Sequence, residues 1–323
     1  MKELVIGSAD EGSRLDRYLI RYLPKAPSGF VYKMLRKKNI TRNGKKADGS
    51  ERLYEGDVIR LFLADDTIAG FLSGAMDKSV SIRLEVCYED EQVLIVNKPA
   101  GMLTQGDRSG DPSLSDALIG YLREKQEVTE ESIAHFRPSP ANRLDRNTSG
   151  LVLCGKNLAG QQMLSVLLRE KQVRKFYLTA VHGVFSKELS VTSYLVKDPA
   201  KNRVSVSDRP LPNSELVRTT FRPVFIGEHA TLLEAELHTG KAHQIRAQAA
   251  HLKFPLLGDV KYGAEPVRGY RGHLLHCYRI RFPELPGVPG SLRGRTVAAP
   301  VPESMRKVLD RYGLTIPKEF YDK

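Results

Sequence analysis

Several features that would each point to a class of protein are missing from this chain. No apolar run approaches the ~20 residues that a membrane-spanning helix needs, so no bilayer span is expected. The opening residues, MKELVIGSADEG, lack the basic stretch and apolar core of a secretory signal, and a cytoplasmic location is expected. There are only three cysteines, Cys87, Cys154 and Cys277, far apart and in no CxxC pair. That argues against a disulfide framework and against a thiolate zinc site. No HExxH occurs, no GxGxxG follows a strand, and no internal repeat is present. Metal and dinucleotide chemistry are therefore not expected, nor is any other cofactor. Composition near the globular average excludes collagen, coiled coil and a wholly disordered chain.

What is present begins with length and charge. A chain of 323 residues, 41% hydrophobic, can bury a full core and exceeds one average domain, so two domains are expected. Lys and Arg number 50 against 38 Asp and Glu, a net charge of +12. Such a surface suits a polyanion, because each neutralised phosphate releases counterions. Residues 1–64 hold 14 basic and 8 acidic side chains, a net of +6. Half the excess charge thus sits on a fifth of the chain. Within it Lys33, Arg36, Lys37, Lys38, Arg42, Lys45 and Lys46 follow one another with no acid between them.

The same stretch has a local pattern. Residues 13–23 read as a helix, capped by Ser13, with Leu15, Tyr18, Leu19 and Tyr22 on one face. A second helix runs from Ser28 to about Lys38, with Phe30, Val31, Met34 and Leu35 inward. Asn43-Gly44 signals a turn, and Val58–Leu63 a strand. A basic helix end beside a basic turn is well placed to grip phosphates. RLDRYL, then a basic second helix, then N-G, resembles the alpha-L RNA-binding domain of a ribosomal small-subunit protein and of several RNA-modifying enzymes. Residues 1–65 are expected to form that domain, 66–80 a linker, and 81–323 the second domain.

From about residue 81 the chain is rich in strand patterns: 84–88, 93–97, 150–154, 175–182, 217–225, 231–237 and 274–282. Helices fit 157–170, 242–252 and 302–312. Leu233, Ala235 and Leu237 alternate with Glu234 and Glu236, as in a sheet with one wet face. Residues 186–215 are polar and turn-rich, and are expected to leave the sheet. The class is α+β, with a large, mainly antiparallel sheet and a small helix-helix-strand domain. Gly150 to Lys156 spells G-x4-G-K, but Asn157 follows instead of Ser or Thr, and the spacer is a buried-strand run containing Cys154. That context is not a phosphate loop. His243 and His251 stand two turns apart on one helix, too far to share a metal without other ligands.

Three segments carry chemistry. In Asn142-Arg143-Leu144-Asp145-Arg146-Asn147-Thr148-Ser149-Gly150, one carboxylate lies between two arginines before an apolar strand. Nearby positive charge favours its ionised form. In Lys175-Phe176-Tyr177-Leu178-Thr179, alternation puts Lys175, Tyr177 and Thr179 on one side. In Thr239-Gly240-Lys241-Ala242-His243-Gln244-Ile245-Arg246, a glycine turn opens a helix whose His243 and Arg246 share a face at i, i+3. Arg246 is able to grip a carboxylate bidentately.

Together with Val96-Asn97-Lys98-Pro99, Gly258-Asp259-Val260-Lys261-Tyr262-Gly263 and His273-Leu274-Leu275-His276, these segments resemble the RluA-type group of pseudouridine synthases over about residues 85–302. The resemblance implies an isomerase that converts uridine to pseudouridine in structured RNA, ribosomal RNA of the large subunit first and transfer RNA second. It implies that Asp145 is the catalytic aspartate, that Tyr177 lies against the target base and removes the carbon 5 proton, and that Arg246 pairs with the aspartate. It gives Arg143 the place that a flipped uridine leaves. Asn142, Lys241 and Gln248 stand where His, Arg and His are commoner, which bears on subfamily and target. A monomer that binds RNA and no membrane is expected. A non-catalytic RNA-binding or assembly factor explains the charge but leaves Asp145, Tyr177 and Arg246 without a purpose. A nucleoside glycosidase needs a second carboxylate against Asp145.

Overall fold

The computed structural model describes residues 1–7, 10–72, 82–107, 109–198 and 203–320. They divide into two compact units, Met1–Ile82 with Asp116–Pro138, and Arg83–Ser115 with Ser139–Lys323.

The first unit contains strands β1 (Lys2–Val5), β2 (Ile40–Arg42), β3 (Lys45–Lys46) and β4 (Val58–Leu61), and helices α1 (Leu15–Tyr22), α2 (Ser28–Arg36) and α3 (Asp65–Leu72). The strands form one sheet in the order β1-β4-β2-β3. The inward residues read from the helical spacing pack there: Leu15, Tyr18, Leu19, Val31, Met34 and Leu35 are buried with Ile40 and Ile59. Ser13 does not cap α1; Arg14 takes the cap position without a side-chain capping bond, and Asp16 Oδ1 accepts from Arg17 N at 2.7 Å in the first turn. Asn43 and Gly44 both have positive φ, the turn that a two-residue hairpin between β2 and β3 requires.

The expected linker over 66–80 is corrected in its first part. Residues 65–72 are helical because Asp65 and Asp66 suit a helix start, while Ile68 and Phe71 have apolar partners. The Phe71 ring centroid is 4.7 Å from that of Phe30. The rest of that stretch, 73–80, lies outside the described residues. Helices α4 (Leu114–Glu124) and α5 (Glu130–His135) were not read from the sequence. Residues 116–138 group with this unit rather than with 81–323. Asp10, buried, ties them in: it pairs with Arg21 of α1, and its other oxygen lies 3.1 Å from His135 Nδ1 of α5.

The second unit is built on an 11-stranded sheet. Its strands are β5 (Val86–Glu89), β6 (Val93–Lys98), β7 (Ser139–Pro140), β8 (Ser149–Gly155), β9 (Arg174–His182), β10 (Leu189–Asp198), β11 (Arg203–Ser207), β12 (Glu215–Ile226), β13 (Ala230–Leu237), β14 (Leu275–Arg281) and β15 (Thr296–Ala298). The order is β11-β10-β12-β13-β9-β14-β8-β6-β5, with β15 on β14 and β7 on β8. Among the described strands only β14 with β8 is parallel, so the α+β class with a mainly antiparallel sheet holds. Helices α6 (Leu158–Arg169), α7 (Gln244–His251) and α8 (Glu303–Arg311) complete the unit. No helix among the described residues is long and apolar enough to cross a membrane.

Two expectations are corrected here. The described residues of 186–215 do not leave the sheet. Leu189–Asp198 and Arg203–Ser207 form β10 and β11 and extend it at one edge, with Ser193 and Leu195 buried on alternate positions. Small polar inward residues hid that alternation. Nor is one face of β13 wet. Glu234 and Glu236 are 6% and 4% exposed and lie among arginines. Arg174 Nε donates to Glu236 at 2.8 Å and Arg279 Nη2 to Glu234 at 2.8 Å. Buried charge of this kind is retained only when paired.

The G-x4-G-K string is strand β8 and the cap of α6. The Asn157 side chain accepts from Gly160 N, and Lys156 Nζ donates to Glu89 at 2.8 Å. Gly150 has φ +112°, and a Cβ there would stand 2.3 Å from the Cys277 carbonyl oxygen. The loop before β8 therefore turns into the parallel pairing with β14 at a residue that must be glycine.

Candidate active site

The loop carrying Asp145 is held from below. Thr104 Oγ1 donates to the Leu144 carbonyl at 2.9 Å and accepts from Leu144 N at 3.1 Å. Gly101 N donates to the Arg146 carbonyl at 2.8 Å, and Thr148 N to the Asp145 carbonyl at 3.0 Å. Lys98, at the end of β6, is fully buried, and its Nζ donates to the carbonyls of Pro99 and Met102 at 2.9 Å and of Arg146 at 3.3 Å. Burial pushes its amine down to about 7, against the pull of Asp145. Two buried histidines fix the exit into β8: His273 Nε2 meets Thr148 Oγ1 at 2.8 Å, and His276 Nδ1 meets Ser149 Oγ at 2.9 Å. Burial lowers both to about 4, so both are neutral at pH 7.

Arg246 comes from the opposite side, on α7. Its Nη1 donates to Asp145 Oδ2 at 2.8 Å. The bidentate grip falls on a different carboxylate: Nε and Nη2 donate to the two oxygens of Asp259 at 2.7 and 2.8 Å. Folding thus does bring a second carboxylate near, but Asp259 is 2% exposed and both its oxygens hold Arg246. His243 also faces Asp145, Nε2 to Oδ2 3.7 Å. The i, i+3 pair read from the sequence therefore converges on one carboxylate. Tyr262 carries both members. The Arg246 guanidinium lies 5.1 Å from its ring centroid, and its hydroxyl is 3.0 Å from His243 Nδ1.

Burial works to raise the Asp145 pKa. His243 and Arg246 outweigh it, and the carboxyl sits below its ordinary value. Arg246 is the durable partner, since it is always charged, whereas burial lowers His243. The carboxylate is therefore ionised at neutral pH.

Helix α7 is anchored by two buried amides. Gln244 Nε2 donates to the Arg218 carbonyl at 3.0 Å, and Gln248 accepts from Thr219 Oγ1 at 2.6 Å while donating to Ser193 Oγ at 2.9 Å. Gln248, one of the unusual positions, thus ties α7 to β12 and to the added strand β10. Asn142 accepts from Leu153 N at 2.8 Å and closes the loop onto β8. Lys241 pairs with Glu215.

Tyr177 lies on β9, opposite Ala235 on β13 and Cys277 on β14. Burial raises its hydroxyl well above 10, and the adjacent thiol of Cys277 adds to this. At neutral pH it is a phenol. Tyr177, Asp145, Arg143, His243 and Arg246 line one cleft of about 1350 Å³. Pockets for single small molecules span about 300–1,000 Å³, so a polymer segment fits better. Arg143 is exposed at its edge. No group of three or more His, Cys, Asp or Glu among the described residues is placed to hold a metal.

The basic run lies in the other unit. Lys33, Arg36, Lys37, Lys38, Lys45 and Lys46 are exposed. Arg42 differs: its Nε donates to Asp57 at 2.8 Å, and it is half-buried. Sequence reasoning missed roles for Lys98, Asp259, Tyr262 and His273. Their motifs were visible, but nothing local said which side chain each would meet.

Residues 92–251 match the model of the RNA pseudouridylate synthase family. The chain is 32% identical over 321 residues to the ribosomal large subunit pseudouridine synthase C of Pasteurella multocida (strain Pm70), covering 96% of this chain and 93% of that protein. It is 32% identical over 277 residues to the protein of the same name from Rickettsia bellii (strain RML369-C), covering 83% and 89%. The solved structure of human RNA pseudouridylate synthase domain containing 4 shares the fold with a TM-score of 0.59 at 19% identity, covering 72% of this chain and 94% of that one. The motifs, the sheet and a relative this similar along nearly its whole length agree: the chain belongs to the RNA pseudouridylate synthase family, in its RluA-type group, and is an isomerase that acts on RNA.

Proposed function

We propose that the chain converts uridine to pseudouridine in ribosomal RNA of the large subunit, with Asp145 as its catalytic aspartate. One observation carries the choice of residue: Asp145 is an ionised carboxylate held by Arg246 at 2.8 Å in the cleft that Tyr177 lines. The choice of RNA is supported by the names of the relatives, which are ribosomal large subunit enzymes.

The reaction breaks the bond from uracil nitrogen to ribose, turns the base and rejoins it through carbon 5, where a proton is lost. Every route that starts at Asp145 needs it ionised, whether it attacks sugar or base or takes a proton on the way to a glycal. Arg246 maintains that state and fixes the direction of the free oxygen. Asp259 and Tyr262 position Arg246 in turn. Tyr177 starts as a phenol, so its ring supports the base, and its hydroxyl accepts the carbon 5 proton only while its own passes to the uracil nitrogen released from the ribose. The target must leave its stack to reach this cleft, and Arg143 at the edge is placed to fill the gap.

The exposed cations Lys33, Arg36, Lys37, Lys38, Lys45 and Lys46 hold the phosphate backbone in this reading, as an alpha-L domain would. Arg42, bound to Asp57, shapes the β2–β3 hairpin that presents Lys45 and Lys46. A cytoplasmic monomer goes with such a substrate. Pseudouridine mapping of RNA from cells with and without the gene tests the assignment. Loss of a site in large-subunit ribosomal RNA is expected. Loss confined to transfer RNA would contradict it.

A further inference from the structure

The cleft is strongly cationic. Nine lysines and arginines line it against three acids, Asp107, Asp145 and Asp259. Two of those acids are spent on Arg246, and Asp107 accepts from Ser109. Four of the cations are paired, Arg146 with Asp111, Arg169 with Glu170, Lys241 with Glu215 and Arg246 with its carboxylates, while Arg143, Lys171 and Lys197 are exposed to water.

Lys175 has none. It stands two residues before Tyr177 on β9, on the same face, and lines the same cleft. It is half-buried and makes no hydrogen bond or ion pair among the described residues. Its amine is nevertheless given a definite place. Nζ packs beside the Thr239-Gly240-Lys241 turn, 3.5 Å from where a Cβ on Gly240 would stand. A half-buried ammonium without an acceptor is unfavourable until an anion meets it. Burial lowers its pKa accordingly.

We propose that Lys175 binds a phosphate of the RNA strand at the flipped uridine, so that β9 holds both the target base, through Tyr177, and the backbone next to it. This rests on the reading that the cleft receives a uridine turned out of its stack. A phosphate oxygen would take the place that no carboxylate among the described residues fills. The contact would set how deeply the nucleotide sits against Asp145.

Tritium release from RNA labelled at carbon 5 of uridine comes first, with wild type alone. Silence there would refute the reading of the cleft, whatever Lys175 does. With release established, single-turnover reactions compare wild type, Lys175→Ala and Lys175→Arg over a range of enzyme and salt concentrations. For Lys175→Ala the half-saturating concentration should rise roughly tenfold, and its dependence on log salt should become shallower by about 0.7–0.9. Lys175→Arg should restore most of both. A loss confined to the maximal rate, or no change in half-saturation, would overturn the contact.

A second arm changes the RNA, so that wild-type protein reports the phosphate contact and Lys175→Ala serves only as its comparison. A synthetic hairpin around the mapped uridine carries an uncharged methylphosphonate at the 5′ linkage, at the 3′ linkage or several nucleotides away. One flanking linkage should cost wild type as much as Lys175→Ala does and cost Lys175→Ala nothing further. Additive losses at every linkage would show that Lys175 meets no particular phosphate.

Discussion

Arg246→Lys keeps a positive charge and removes a geometry. The guanidinium makes three charge-assisted hydrogen bonds, two to Asp259 and one to Asp145, at 2.7, 2.8 and 2.8 Å. A lysine amine is a single point and cannot bridge two carboxylates. Asp259, the more deeply buried of the two, is the stronger claimant for it. Asp145 then loses one charged partner, worth about 1.5–3 kcal/mol, or roughly 10- to 150-fold in rate. The pH profile adds a signed test. The ionised form of Asp145 is the active one, and its folded pKa is held below the ordinary value by groups facing it, Arg246 among them. Activity is present above that pKa and lost as pH falls through it. Without the guanidinium, burial raises the pKa, and the loss begins at a higher pH. Single-turnover tritium release across the acid range, with RNA binding measured alongside, reads both effects. A variant with near wild-type rate and an unmoved acid limb would refute the account of Arg246.

Three other outcomes are expected. Changing Lys37, Lys38 and Lys45 together to Gln should weaken RNA binding and flatten its dependence on log salt by about 2 to 3; a slope equal to the parent's in filter binding would remove the phosphate-grip argument. The rate should stay level from about pH 8 to 10, because Tyr177 works as the neutral phenol and its hydroxyl titrates above that range; a rise of about tenfold per pH unit in single turnover, the mark of a phenolate base, would contradict this. Lys98 should reveal itself in stability: its folded amine is near 7 against an ordinary 10.5, so folding is penalised while it is charged and the penalty fades as pH rises between those values. Wild type should therefore gain on Lys98→Met from about pH 7 upward in denaturant melts, and a constant gap would contradict the burial argument.

Periodicity carried the fold where one face of an element is uniformly apolar. Strand β8 and helices α1 and α2 were legible for that reason. Strand β10 was not, because Ser193 takes a buried position by bonding Gln248, and a polar inward residue breaks the pattern. Glu234 and Glu236 misled in the same way: their charge reads as solvent exposure until Arg174, Arg222 and Arg279 arrive from other strands. The motifs marked Asp145 and Arg246, but they did not show that the bidentate partner of Arg246 is Asp259. That assignment needs the loop after α7 to fold back under the helix, a contact with no local signature. Lys98 is legible only as part of a motif, since a lysine before a proline gives no hint that three carbonyls will close around it. Arg42 shows the opposite error. It reads as one of an acid-free run of cations that grip phosphate, and Asp57, fifteen residues on, claims it.

The most direct test of the central claim is tritium release from RNA labelled at carbon 5 of uridine, with wild type and Asp145→Asn side by side. The RNA should come from cells that lack the gene, both as protein-free RNA and as assembling ribosomal particles. Asn fills the place of Asp145 without its charge, so binding should persist while release stops, and pseudouridine should appear in the wild-type digest alone. Equal release by the two proteins, or free uracil as the product, would contradict the assignment of Asp145.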